Sequence, residues 1–139
     1  MKLFVLDTNI YLFYLMNDIK SLSPLIRKYF NMSDTGECVF YIPSVCFWEI
    51  NRKLSSKGIR IKGLSPEDGI RLAHKTIDNS QCLRDLPLTR KAASLAPSFR
   101  TKLPDPFDQL IVASALDANL ALITRDQAIQ KSGLVQVVW

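Results

Sequence analysis

The run FVLDTNIYL, Phe4 to Leu12, constrains this chain more than any other stretch. Phe4, Val5 and Leu6 lead into Asp7; Thr8 and Asn9 follow, and a second apolar run then opens. An apolar run this short cannot cross a membrane and reads as a buried parallel strand of an α/β sheet, covered on both faces. A carboxylate directly after such a strand stands where open α/β sheets form their ligand crevice. One aspartate carries little weight alone, so the question is whether other acids recur at equivalent places.

The chain continues in a mostly β-α-β-α order. Lys2–Leu6 is the first expected strand, and Asp7 or Asn9 can cap an apolar helix over Ile10–Leu15. Asp18–Leu22 reads as a turn. Ser23 and Pro24 then open a helix with Leu25, Ile26, Tyr29 and Phe30 as its buried stripe, and Asn31–Glu37 reads as a loop. A second strand is expected over Val39–Ile42, stopped by Pro43, with Ser44 capping a helix over Val45–Ser55. Ile59–Ile61 can form a short edge strand in a basic linker. Ser65, Pro66, Glu67 and Asp68 start a helix that turns Ile70, Ala73 and Ile77 to one side. Thr89 caps Arg90–Ala96, Pro97 ends it, and Phe99–Pro104 is a basic loop. Phe107–Leu116 is a buried crossover helix, Leu120–Thr124 the third core strand, Asp126–Lys131 a short helix and Leu134–Val138 the last strand. This order predicts a three-layer α/β/α sandwich around a central, mainly parallel sheet, built as one domain over residues 1–139.

Composition narrows the classes. With 139 residues and 47% hydrophobic content the chain can bury a substantial core. The formal net charge of +5 permits a polyanionic partner, and it also describes many proteins that have none. Three cysteines, Cys38, Cys46 and Cys82, make no CxxC spacing, and with a single histidine, His74, there is no zinc ligand set. The odd cysteine count, the lack of a signal-peptide pattern and the shortness of the apolar runs give the expectation of a cytoplasmic protein.

Four acids recur at element boundaries. Asp7 follows the first strand, Glu49 lies on the helix after the second, Asp108 opens the helix before the third, and Asp126 follows the third. Each has a plainer role open to it: Asp7, Asp108 and Asp126 can be helix caps or turn residues, with Asp105 competing for the cap of its helix. The face of the helix that carries Glu49 can be exposed to solvent. Taken together they suit one crevice. Carboxylates sharing a pocket repel one another, and a hard divalent cation such as Mg²⁺ or Mn²⁺ is the simplest partner for an all-oxygen set. Metal-assisted hydrolysis of a phosphodiester is the chemistry that matches.

The strings LDTNIYL, SVCFWEINRKL, DPFDQLIVASAL and ALITRD together resemble the PIN-domain nucleases, in particular the small ribonuclease toxins of bacterial toxin–antitoxin pairs. The resemblance runs from Leu3 to near the C-terminus and implies a metal-dependent endoribonuclease that cuts single-stranded or looped RNA. It implies Asp7, Glu49, Asp108 and Asp126 as the metal-binding acids, in that order. It also implies Thr8, Asn9 and Thr124 as polar supports of the site, with Asp105 as an auxiliary or loop-ordering acid. The partners it implies are a small antitoxin, whose C-terminal segment blocks the crevice, and a second copy of the chain, for which Phe13, Tyr14, Tyr29 and Phe30 offer an aromatic surface if they are not core. Two positions depart from the family's pattern: Leu103 stands where a histidine is frequent, and Gln109 where an arginine is usual.

Among the basic residues, Arg52, Arg100, Lys102 and Arg125 are candidates for phosphate contact, Arg125 foremost because it neighbours Asp126. Phe47 and Trp48 are expected in the core rather than stacked on bases, and His74 is expected to be a surface or packing residue. Two rival readings stand beside the nuclease. An aspartate-nucleophile phosphatase needs a second acid two residues after Asp7, and that position is Asn9. A catalytically silent PIN-like module would keep the fold and only hold RNA or a protein partner.

Overall fold

The computed structural model describes residues 1–139 and contains one five-stranded sheet, parallel throughout, flanked by helices. The strands are β1 Lys2–Leu6, β2 Cys38–Pro43, β3 Leu83–Leu86, β4 Ala121–Ile123 and β5 Val137–Val138, in the spatial order β3-β2-β1-β4-β5. The helices are α1 Thr8–Met16, α2 Pro24–Asp34, α3 Ser44–Ser56, α4 Pro66–Asp78, α5 Arg90–Leu95, α6 Pro106–Asp117 and α7 Gln127–Ser132, with short 3-10 turns at Ile19–Ser21 and Ala96–Phe99. The chain builds outward from β1 to β3 on one side, then crosses back to lay β4 and β5 on the other. The strand order therefore reverses between β1 and β4, whose Val5 and Leu122 are register partners. A crevice at such a reversal, beyond the carboxyl ends of the strands, is where this architecture admits ligands.

The central strand is buried as its sequence demands: Val5 and Leu6 are fully covered. Their neighbours Phe40, Ile42, Leu122 and Ile123 extend the same core. Helix α1 is apolar around most of its circumference and sinks into this core through Ile10, Tyr11, Leu12 and Leu15. The one polar group that goes with it is satisfied, since the Tyr11 hydroxyl donates to the carbonyl of Ala73 on α4 at 2.6 Å. Helix α3 packs through Val45, Cys46, Ile50 and Leu54, and α6 through Ile111, Val112, Ala113 and Ala115. The three thiols are free. No helix is long and apolar enough to cross a membrane.

Several boundary expectations hold at the atomic level. Ser23, Ser65 and Thr89 cap α2, α4 and α5 by accepting from the backbone N–H three residues on. Others do not. Strand β3 was not foreseen, because LRDL presents Arg84 and Asp85 to solvent along a sheet edge and lacks an apolar run. Residues Asn31–Asp34 continue α2 instead of forming a loop. Leu25 is exposed and leaves the α2 stripe to Ile26, Tyr29 and Phe30. Ser44 does not cap α3; its hydroxyl is turned to the carbonyl of Leu86 on the neighbouring edge strand, and Pro43 begins the helix with no side-chain cap. Ile59–Ile61 is not a strand, although Ile61 is fully buried as a plug from the loop. Phe13, Tyr14, Tyr29 and Phe30, offered as a pairing surface, pack against the core.

Candidate active site at the strand-order reversal

The crevice between β1 and β4 is built from main-chain geometry outward. Asp7 leaves β1 in extended conformation and caps α1, its Oδ1 accepting from the Thr8 N–H at 2.7 Å. Its other oxygen, Oδ2, accepts from the Thr124 hydroxyl at 2.7 Å, which ties the ends of the two central strands together. Thr124 Oγ1 accepts in turn from the N–H of Asp126 at 3.0 Å, and Asp126 Oδ1 caps α7 by accepting from Ile129 N–H at 2.9 Å. Asp7 and Asp126 are thus helix caps and crevice acids at once, and the two roles do not compete.

Glu49 enters from α3. The apolar positions Val45, Cys46, Ile50 and Leu54 set the buried stripe of that helix, and Glu49 lies on it, 7% exposed, as is Asp7. The carboxylate accepts from the Thr8 hydroxyl through Oε1 at 2.6 Å, and its Oε2 faces the Arg52 guanidinium at 4.0 Å. Asp108 sits in the first turn of α6 with no hydrogen bond to its carboxylate. Asp105 is the cap of that helix, its Oδ1 accepting from Phe107 N–H at 2.9 Å.

Electrostatics show that these acids share one environment. Burial, and then the charge of Asp126, push the Asp7 carboxyl above its ordinary range, against the lowering hydrogen bonds from Thr124 and Thr8. Burial likewise raises Glu49, which feels Asp7 and Asp105. Asp108 rises to about 7, by burial first and then by the charges of Asp7, Asp105, Asp126 and Glu49. The chain forms three ion pairs, and none involves Asp7, Asp108 or Asp126; Arg52 at 4.0 Å from Glu49 and the charge of Lys53, which lowers Asp7 and Glu49, offset only part of the repulsion. This all-oxygen, under-neutralised donor set fits a hard divalent cation. No three His, Cys, Asp or Glu side chains stand close enough together to form a ready-made ligand cluster.

The remaining expected residues fall around this centre. Asn9 is exposed and its Oδ1 accepts from Lys53 Nζ at 2.8 Å, which holds a lysine whose charge lowers both Asp7 and Glu49. Arg125 is exposed beside Asp126 with its guanidinium 5.4 Å from the Phe13 ring centre. Arg100 is exposed on the loop before α6, while Lys102 is committed to the carbonyl of Ser132 at 3.1 Å. The departures at Leu103 and Gln109 answer one another: buried Gln109 donates through Nε2 to the Leu103 carbonyl at 2.7 Å and fastens the loop that leads into α6. His74 is exposed and stacked on Phe47, away from the acids.

One expectation is corrected. Trp48 is not core: its side chain is 56% exposed and lies on Phe107, ring centres 4.7 Å apart. The helical spacing of Val45, Cys46, Glu49 and Ile50 carries the signal, since it turns Trp48 outward and Glu49 inward on α3.

Comparison with known proteins bears on the fold and the family. The structure is similar to VapBC2 from Rickettsia felis bound to a DNA fragment from its promoter, with TM-score 0.69, 16% identity, and coverage of 98% of this chain and 97% of that one. It is equally similar to DNA-bound VapBC from Salmonella typhimurium, with TM-score 0.69, 22% identity and coverage of 99% and 98%. A toxin–antitoxin complex from Klebsiella pneumoniae gives TM-score 0.58, 16% identity and coverage of 98% and 96%. At such identities the likeness establishes the fold. No curated protein matches the chain by sequence. The model of one family matches residues 4–133, nearly the whole length, and by that match the chain belongs to the PIN domain family.

Proposed function

We propose that this protein is a metal-dependent endoribonuclease acting as the toxin of a toxin–antitoxin pair in the cytoplasm. The observation that carries the reading is the linked pair Asp7–Thr124 and Glu49–Thr8: two buried carboxylates, each oriented by a threonine hydroxyl, at the reversal of strand order. Burying an acid such as Asp7, which takes part in no ion pair, costs roughly several kcal/mol, and that cost has a purpose where the acid holds a cation.

Asp7, Glu49, Asp108 and Asp126 would hold Mg²⁺ or Mn²⁺. When bound, such an ion supplies a water of lowered pKa and stabilises charge on phosphate oxygens. The chain's own residues do the rest. Thr124 and Thr8 fix the carboxylate orientations before substrate arrives. Lys53 and Arg52, beside Asn9 and Glu49, limit repulsion of the RNA backbone by the acids. Asp108, raised to about 7 by burial and the neighbouring acids in the metal-free chain, is the acid that a bound cation would relieve most.

An antitoxin partner is supported by the likeness to a toxin–antitoxin complex and by Asp7, Asp108 and Asp126, acids outside the chain's ion pairs, which a basic side chain of a partner segment would neutralise. The test is cleavage of a structured RNA pool with Mg²⁺, with Mn²⁺ and with chelator, beside Asp7→Asn. Metal-dependent cutting lost in that variant supports the reading. Absence of cutting with either metal by inhibitor-free protein overturns it and leaves the silent binding module.

A further inference from the structure

Beside the acids lies a surface that the hydrolysis does not use. Trp48 and Phe107 each precede an acid, Glu49 and Asp108, on two different helices, and their rings stack with an interplanar angle of 21°. The Arg52 guanidinium is 5.7 Å from the Trp48 ring centre and 5.5 Å from that of Phe107. A cation over the outer face of the indole would stand much farther from Phe107 than from Trp48. The near-equal distances put Arg52 beside the stack and not on the indole's outer face, and the Trp48 side chain is 56% exposed. Arg52 Nε is buried with no hydrogen-bond partner, while another nitrogen of the guanidinium faces Glu49 at 4.0 Å. A groove of about 470 Å³ continues from there along α3, lined by Trp48, Asn51, Arg52, Ser55 and Ser56.

We propose that Trp48, backed by Phe107, is a platform on which one unpaired base of an RNA substrate stacks, with Arg52 taking the adjoining phosphate. The proposal rests on the nuclease reading of the neighbouring acids and adds a substrate-binding residue that would recognise an unpaired base. A stacking platform needs one open π-face, a cation and polar groups along the strand's path, and this groove supplies all three. Its single apolar side chain and four polar neighbours suit a nucleotide better than the apolar centre of a protein interface. Arg52, which lines this groove, is also the residue that faces the Glu49 carboxylate at 4.0 Å, so it links the platform to the acids. Duplex RNA cannot offer an unstacked base and gains nothing from the platform.

The chain has two tryptophans, so Trp139→Phe leaves Trp48 as the only indole reporter. In that background with Asp7→Asn to keep RNA intact, a short mixed-sequence single-stranded RNA should quench Trp48 emission saturably, and a blunt duplex of that sequence should not. In the otherwise native chain, Trp48→Ala should weaken single-strand binding about tenfold or more and raise KM for cleavage more than it lowers kcat. Trp48→Phe should retain most of the binding. RNA bound or cut without quenching, or with Trp48→Ala indistinguishable from the parent, overturns the platform and leaves the nuclease reading intact. Trp48→Ala that only converts a dimer to a monomer, with unchanged RNA affinity, also overturns it and assigns the surface to a second copy. Saturable quenching by single strands from a protein that cuts no RNA with Mg²⁺ or Mn²⁺ upholds the platform while the nuclease reading fails. Neither quenching nor cutting overturns both.

Discussion

The Thr8 hydroxyl donates to Glu49 Oε1 at 2.6 Å, joining the first turn of α1 to a buried acid 41 positions away in sequence. A buried carboxylate that loses its donor keeps its desolvation cost without compensation. Thr8→Val should therefore lower stability by about 1–3 kcal/mol in urea unfolding of the metal-free protein and reduce cleavage. Thr8→Ser, which keeps the hydroxyl, should recover both. A valine variant as stable as the parent beside a destabilised serine variant would mean that packing of the methyl, not the hydrogen bond, is what matters.

Thr124 does two things with one oxygen: it donates to Asp7 and accepts from the Asp126 N–H. Thr124→Val removes both, freeing Asp7 to rotate and loosening the start of α7. The expected outcome is a weaker Mn²⁺ affinity by about tenfold, the range for losing a group that orients a ligand, read by calorimetry. Thr124→Ser should bind as the parent does. An unchanged Mn²⁺ affinity in Thr124→Val would show that Asp7 is held in place by its cap to Thr8 alone.

Much of this was legible because local rules and tertiary demands agree. FVLD gives a buried strand ending in a crevice acid, and S-P and T-R junctions give capped helices whose hydroxyls bond as the spacing requires. What escaped the sequence depends on neighbours. LRDL becomes strand β3 only because β2 offers it a parallel partner, Phe40 opposite Leu83. Ser44 has the residue type of a cap, and is diverted by a carbonyl that β3 brings close. Trp48 escaped for a different reason. Its apolar neighbourhood was read as a block, although the helical period within that block already separated the inward Glu49 from the outward indole.

Gln109 offers a test of whether the departures from the family pattern are structural. Its amide and the Leu103 carbonyl are both buried and satisfy each other at 2.7 Å. Gln109→Leu leaves that carbonyl unpaired and should cost about 1–3 kcal/mol in chemical denaturation, with Mn²⁺ affinity nearly unchanged. A large loss of metal affinity with stability preserved would instead give Gln109 a direct part in the site.

The raised carboxyl of Asp108 makes stability depend on pH in a definite direction. Its folded value, about 7, lies above the ordinary 3.8, so between these limits the folded state holds a proton that the unfolded chain has released. Stability of the metal-free protein is then highest below about pH 4 as far as this group is concerned, and is lost as pH rises towards 7. Asp7 and Glu49, also raised, act with the same sign. Because Asp108 is only partly buried, solvent screening reduces the effect well below what the shift alone implies. Asp108→Asn should raise the metal-free melting temperature at pH 7, flatten its decline between pH 5 and 7, and weaken Mg²⁺ or Mn²⁺ binding. Saturating metal should reverse the parent's slope, since the ion favours the ionised acids. A metal-free parent whose melting temperature rises from pH 5 to 7 would show that these acids do not share an uncompensated pocket.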